Sequence, residues 1–125
     1  MEQKMRRTVL LILGLVSVAI PVAVAMQQQA TTRRVPQFEN DHVRVWKSII
    51  LPNQPLSMHR HEHGRTIVAL VGGTLKIVEE SGGSREVTWE TGKAYWLDAD
   101  PPGTRHADVN ESGQPIEVIV VELRK

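Results

Sequence analysis

The chain has no cysteine, which excludes a disulfide framework, a zinc site built on thiolates and lipid attachment through a cysteine. It also lacks a dominant charge: 15 Lys and Arg stand against 14 Asp and Glu, for a formal net charge of +1. Beyond the N-terminus there is no dense basic cluster, because Arg33-Arg34 is an isolated pair. No nucleic-acid partner is therefore expected. There is no internal repeat, no low-complexity segment and, after residue 25, no stretch of sustained helical periodicity. Nor is there a Ser-His-Asp order, a glycine loop of the phosphate-cradling type or a paired-carboxylate pattern.

What the N-terminus does contain is an export pattern. Lys4, Arg6 and Arg7 precede an apolar run from Thr8 to Ala25 that ends in Ala23-Val24-Ala25, with Pro21 just upstream and Gln27, Gln28 and Gln29 just downstream. Residues 1–25 read as a helical signal peptide, placing the mature protein in the bacterial periplasm or outside the cell, with no stable membrane association after cleavage. The competing reading is an uncleaved N-terminal helix that anchors the protein in a membrane, since the run is near the lower length limit for a span. Cleavage would remove three cations and Glu2, taking the net charge from +1 to −1. The remaining chain of roughly 100 residues is enough for one domain held by its own core.

Residues 26–37, rich in Gln, Thr and Arg and closed by Pro36, read as a flexible lead without structure. The folded domain is expected over residues 38–125. There the pattern is strand, turn, strand. His42 to Leu51, rich in β-branched and aromatic residues, stops at Pro52-Asn53-Gln54-Pro55, and Leu56 to His61 resumes an extended chain. Thr66 to Val71 ends at Gly72-Gly73. Thr74 to Glu80 sets Leu75 and Ile77 against Lys76 and Val78, and Gly82-Gly83 closes a hairpin onto Arg85 to Glu90. Tyr95 to Leu97, Arg105 to Val109 and Ile116 to Leu123 complete about eight short strands, the signature of an all-β sandwich or jelly roll.

Three of the five histidines lie in Met58-His59-Arg60-His61-Glu62-His63. Side chains two apart on a strand share a face, so His59 and His61 can offer imidazoles to one ion. Two imidazoles leave a divalent site incomplete, and His106, in a short strand after the Pro101-Pro102-Gly103 turn, is the candidate third donor. Three neutral imidazoles suit Fe, Zn, Mn, Ni or Cu without choosing among them. His63 is a reserve ligand or a neighbour of the site, because an extended chain is doubtful beside Gly64. Glu62, between two histidines, is expected on the surface.

These residues resemble the two motifs of the cupin superfamily. Asn53, His59, His61 and Gly72 or Gly73 fall where the first motif carries Gly, His, His and its closing Gly, and Asn tolerates the left-handed turn that glycine would supply. Pro101, Gly103, His106 and Asn110 match the second motif in full. Eight residues separate Gly92 from Pro101, more than is usual in the family, and the excess falls in the Asp98-Ala99-Asp100 loop. The resemblance spans roughly residues 38 to 123. It implies a single-domain jelly-roll β-barrel with His59, His61 and His106 as metal ligands and a homodimer joined through sheet edges.

One departure matters for the site. The family's metal-binding Glu would fall at Arg65 or Thr66, and neither a guanidinium nor a hydroxyl replaces a carboxylate. Arg65 is expected to point outward into solvent, because the chain turns near Gly64; pointing inward, it would create a cationic pocket for a carboxylate or phosphate. Asn110, like His63 and Arg65, is a candidate for the surroundings of the ion or the pocket wall. Asp98, Asp100 and Asp108 either accept the second N–H of an imidazole or, as is commoner, cap loops. Trp46, Trp89, Trp96 and Tyr95 either fill the core or line a pocket. Two functions remain open: a metal-dependent enzyme or metal-binding cupin acting on a small organic substrate, and a non-catalytic cupin that binds a small ligand without metal.

Overall fold

The computed structural model describes residues 30–125. Among them nine strands form two antiparallel sheets. One sheet has the order β1-β2-β9-β4-β7, with β1 Arg33–Glu39, β2 Val43–Ile50, β9 Ile116–Leu123, β4 Arg65–Val71 and β7 Ala94–Leu97. The other has the order β3-β8-β5-β6, with β3 Leu56–His59, β8 His106–Val109, β5 Gly73–Glu79 and β6 Ser84–Trp89. Sequential strands thus alternate between sheets except at the β1-β2 and β5-β6 hairpins, as in a jelly roll. The export segment, residues 1–25, lies outside the described residues.

Period-two alternation sets the core. Ile116, Val118 and Val120 on β9, Ile67 and Ala69 on β4, Trp46 and Ile50 on β2, and Leu75 and Ile77 on β5 turn inward and pack with Trp89. Each of the Ile, Val and Leu side chains among them contributes about 1.5–3 kcal/mol when fully buried. The same alternation carries beyond the apolar residues. Arg65 continues the inward row of Ile67 and Ala69, and Glu122 that of Ile116, Val118 and Val120; the two are register partners across β4 and β9.

The lead expected to be flexible over 26–37 is structured from its second half, so the domain starts before residue 38. β1 pairs with β2 from Arg33 opposite Ile49 to Glu39 opposite Arg44. Thr32 is already anchored, donating its hydroxyl to the Gln54 carbonyl at 2.6 Å and accepting the Leu51 N–H at 2.9 Å. Pro36 is tolerated because β1 is an edge strand and its register shifts between Pro36 and Phe38.

The turn at Asn53 takes the expected form. Asn53 has φ of 55°, the left-handed conformation anticipated for it, and its N–H donates to the Asn110 carbonyl at 2.8 Å. At Gly72 a Cβ would stand 2.2 Å from the Trp89 carbonyl oxygen, so backbone rather than a movable side chain excludes any larger residue there.

Candidate metal centre

His59 is the last residue of β3 and lies directly opposite His106, the first residue of β8. Cross-strand pairing therefore brings the two histidines together, with ring centroids 4.5 Å apart. His61 arrives differently. β3 ends at His59, so the expected strand through His61 is two residues too long. His61 is instead held by the 98–101 loop: its N–H donates to Asp100 Oδ2 at 2.7 Å and its carbonyl accepts the Asp100 N–H at 2.8 Å. Its ring lies parallel to Trp46, with centroids 6.2 Å apart. The result still sets His61 edge-on to His59 at 4.9 Å.

One nitrogen from each of His59, His61 and His106 lies within 4.8 Å of the other two. The hydrogen bonds settle which nitrogen is free in His59 and in His61. Nδ1–H of His59 donates to the Ser57 carbonyl at 2.7 Å, and a carbonyl only accepts, so Nδ1 carries the proton. Burial lowers the pKa of His59, against the opposing pull of Ser57 and Asp108, so the ring is neutral and Nε2 is a bare lone pair. That Nε2 is buried and has no hydrogen-bond partner among the described residues. His61 has the same tautomer, with Nδ1–H donating to Glu122 Oε2 at 2.5 Å. Burial also lowers the pKa of His61 and of His106. A neutral, desolvated imidazole with an orphaned nitrogen is costly unless something accepts that lone pair. The donor set fits a divalent transition ion.

Three carboxylates surround the imidazoles. Glu122 binds His61; burial raises its pKa, but the His61 hydrogen bond and the nearby positive groups overcome this and hold it below the ordinary value. Asp100 Oδ2 is 3.5 Å from His106 Nδ1. Asp108, buried on β8, has Oδ2 at 3.7 Å from His59 Nε2 and Oδ1 at 3.7 Å from His106 Nε2. The expected outward orientation of Arg65 is wrong. It is buried, donates from Nη1 to the Asp98 carbonyl at 3.0 Å, and has Nη2 at 3.7 Å from Asp100 Oδ1. The turn at Gly64 does not free it because β4 already begins at residue 65, on the inward register. Arg34, from β1, lies over Trp46 at 5.0 Å from the ring centroid. A cavity of about 250 Å³ opens beneath these groups, with Ile50, Ile67, Ile77, Trp89, Val118 and Val120 among its walls.

Of the other residues expected around the ion, His63 is not in the cluster; it borders a separate depression with Glu62 and Arg124. Asn110 is fully buried but serves the backbone. Its Nδ2 donates to the Ile50 and Gln114 carbonyls at 2.9 and 2.6 Å, and its Oδ1 accepts from Ser112 N–H and hydroxyl. Glu62 is exposed, as anticipated. Trp46 and Trp89 are buried at the cavity wall, whereas Trp96 is 55% exposed, its Nε1–H donating to Asp98 Oδ1 at 2.8 Å. Glu122 was missed in the sequence, and the inward Arg65 was the alternative there rather than the expectation, although both continue a period-two row of buried residues.

No family model matches the chain. The curated β-alanine degradation protein BauB of Pseudomonas aeruginosa is 30% identical over 88 residues, which is 70% of this chain and 88% of that protein. A cupin domain from Bordetella pertussis superposes with a TM-score of 0.67 at 21% identity, covering 76% of this chain and 95% of its own. A cupin-2 domain protein from Shewanella frigidimarina gives 0.51 at 14% identity, over 76% and 83%.

Proposed function

The chain belongs to the cupin family, and from that membership we propose that it is an exported metal-dependent cupin. In this reading His59, His61 and His106 hold one divalent transition ion (Fe, Zn, Mn, Ni or Cu) at the head of a cavity that receives a small organic molecule. The observation that carries it is Nε2 of His59: deprotonated, buried and unpartnered among the described residues, with two further imidazole nitrogens within 4.8 Å. When bound, the ion supplies Lewis acidity toward a donor atom of that molecule.

The residues around it have separable roles. Ser57 and Glu122 orient His59 and His61 through their Nδ1–H groups, which keeps Nε2 available. The apolar lower wall of the cavity excludes water from the body of a small substrate. Arg34 and Arg65 border the same space and suit a carboxylate or similar anionic group. The name of the Pseudomonas relative points to a molecule of that scale, since β-alanine is a short amino carboxylate.

A second reading, a non-catalytic cupin that holds an anion without metal, draws support from the buried Arg65. The charges facing the histidines weigh against it. Asp100, Asp108 and Glu122 outnumber Arg34 and Arg65, and the three imidazoles add no charge when neutral. The excess is negative, which favours a cation at the cluster.

Export is proposed from Lys4, Arg6, Arg7 and the Thr8–Ala25 run, and N-terminal sequencing of the full chain recovered from an expressing bacterium should then begin at Met26. A homodimer paired at the sheet edges is proposed because β1 and β7 end the five-stranded sheet with exposed Phe38 and Trp96. The central test is elemental analysis of protein purified without a His tag. About one equivalent of a transition metal, lost in His59→Ala and His106→Ala, is the expected result. Absence of metal after loading with each of the five ions would sink the reading in favour of the second.

A further inference from the structure

Asp108 has no assigned task in the fold. Its carboxylate is buried on β8, yet none of the hydrogen bonds among the described residues uses it, and no cation of Lys or Arg lies within ion-pair distance of it there. A buried carboxylate in that position is costly unless positive charge compensates it. Arg34 and Arg65 attract it from a distance, but neither forms an ion pair with it, and the nearest polar atoms the described residues offer are the ring nitrogens of His59 and His106.

The geometry around it is specific. Asp108 shares the inward face of β8 with His106, two residues away, and its two oxygens divide between the two neighbouring rings: Oδ2 is 3.7 Å from His59 Nε2 and Oδ1 is 3.7 Å from His106 Nε2. Nitrogens and oxygens that ligate one ion at about 2.0–2.2 Å stand roughly 3–4 Å from one another. Both distances fall in that range. The orphaned Nε2 of His59 thus has the unengaged carboxylate as a neighbour, which stands beside, rather than within, the group of three imidazoles whose nitrogens lie within 4.8 Å of one another.

We propose that Asp108 is a ligand of the ion, supplying from β8 the negative charge that positions 65 and 66 do not. This rests on the metal reading above. It changes the chemistry of the site: three imidazoles alone favour Zn, Cu and Ni, whereas an added carboxylate oxygen extends the preference toward harder ions such as Mn(II). Asp100 and Glu122 do not fill that place, since each is engaged with His61, at its backbone N–H and its ring respectively.

The test uses untagged, metal-free protein titrated separately with Mn(II), Ni(II) and Co(II), as wild type, Asp108→Asn and His59→Ala, with thermal melting of each metal-free variant. Asp108→Asn should lose Mn(II) affinity about 10–100-fold, as strongly as loss of a supporting group at a metal site, and more than it loses Ni(II) affinity. Its Co(II) complex should show a shifted visible spectrum. An Asp108→Asn protein with the wild-type Co(II) spectrum and the wild-type Mn-to-Ni ratio overturns the proposal, while loss of binding in His59→Ala leaves the metal reading intact. Wild type that binds none of the three ions overturns both. Should Asp108→Asn fail to fold, a crystal structure of the Mn(II)-loaded wild type decides: a carboxylate oxygen at about 2.2 Å from the ion supports the assignment, and one beyond about 3 Å ends it.

Discussion

Nδ1–H of His61 donates to Oε2 of Glu122 at 2.5 Å across 61 positions of sequence, tying the loop after β3 to the last strand of the opposite sheet. The bond fixes the imidazole in the tautomer that leaves Nε2 free, and the carboxylate makes that nitrogen a stronger donor. Two properties are combined in one partner, orientation and charge, and substitution can part them.

Glu122→Leu removes both. Metal affinity should fall about 10–100-fold, measured by competition with a chelator of known affinity. Glu122→Gln keeps an acceptor for the His61 N–H without the charge, and it should recover most of that loss. Equal affinity in wild type and Glu122→Leu would show that the His61–Glu122 pair has no influence on the ion.

The buried imidazoles make the metal-free protein acid-sensitive. His59, His61 and His106 all have their pKa lowered from about 6.5, chiefly by burial. As pH falls below that value the unfolded chain takes up protons that the folded protein refuses, so stability falls. Above it these groups contribute no slope. Glu122, with its pKa lowered from 4.5, adds a second loss of the same sign at lower pH. The melting temperature of metal-free protein should be level above about pH 7, decline below about pH 6.5 and decline again below about pH 4.5. A melting temperature that rises on acidification from pH 7 to 5 would contradict the neutral assignment of the three rings.

Asn110 is a stability residue. Asn110→Ala leaves the buried carbonyl of Ile50 and the Gln114 carbonyl without that donor, and the Ser112 N–H without its acceptor. The expected cost is about 2–3 kcal/mol, or roughly 10–20 °C in Tm for a domain of this size. Metal stoichiometry at low temperature should be unchanged, which separates this variant from His106→Ala.

Trp46 offers an optical readout. Its ring lies parallel to that of His61 at 6.2 Å, so a paramagnetic ion held by His61 should quench its fluorescence. Titration with Cu(II) or Ni(II) should dim the wild type and leave Trp46→Phe, which retains Trp89 and Trp96, with the smaller part of the effect. Identical fractional quenching in the two proteins would place the ion away from His61.

Much of this architecture was legible in the residues. Ile116 to Leu123 is a strand with the bounds its alternation suggests, and His59, His61 and His106 meet although two separate segments supply them. What failed did so for identifiable reasons. β1 was hidden because Arg33, Arg34, Gln37 and Glu39 lack an apolar row and Pro36 argues against a strand; an edge position relaxes both requirements. Arg65 was placed outside because a turn was expected near Gly64, yet Ile67 and Ala69 already mark its face. Glu122 escaped notice because it follows an apolar run and reads as the polar end of a strand. His61 reached the cluster by a route not visible in spacing, through its paired hydrogen bonds with the carboxylate and the N–H of Asp100, 39 positions away.

The four-residue β3 ends one side of its sheet and pairs only with β8, in a register fixed at Leu56 opposite Asp108 and His59 opposite His106. Short outer strands of this kind are the first to fray on heating. An occupied site would rivet that loose margin to its neighbour, so departure of the ion and peeling of the strand become a single event. Amide exchange along Leu56–His59 should then slow sharply on loading, while β2 and β9 at the centre of the other sheet hardly change.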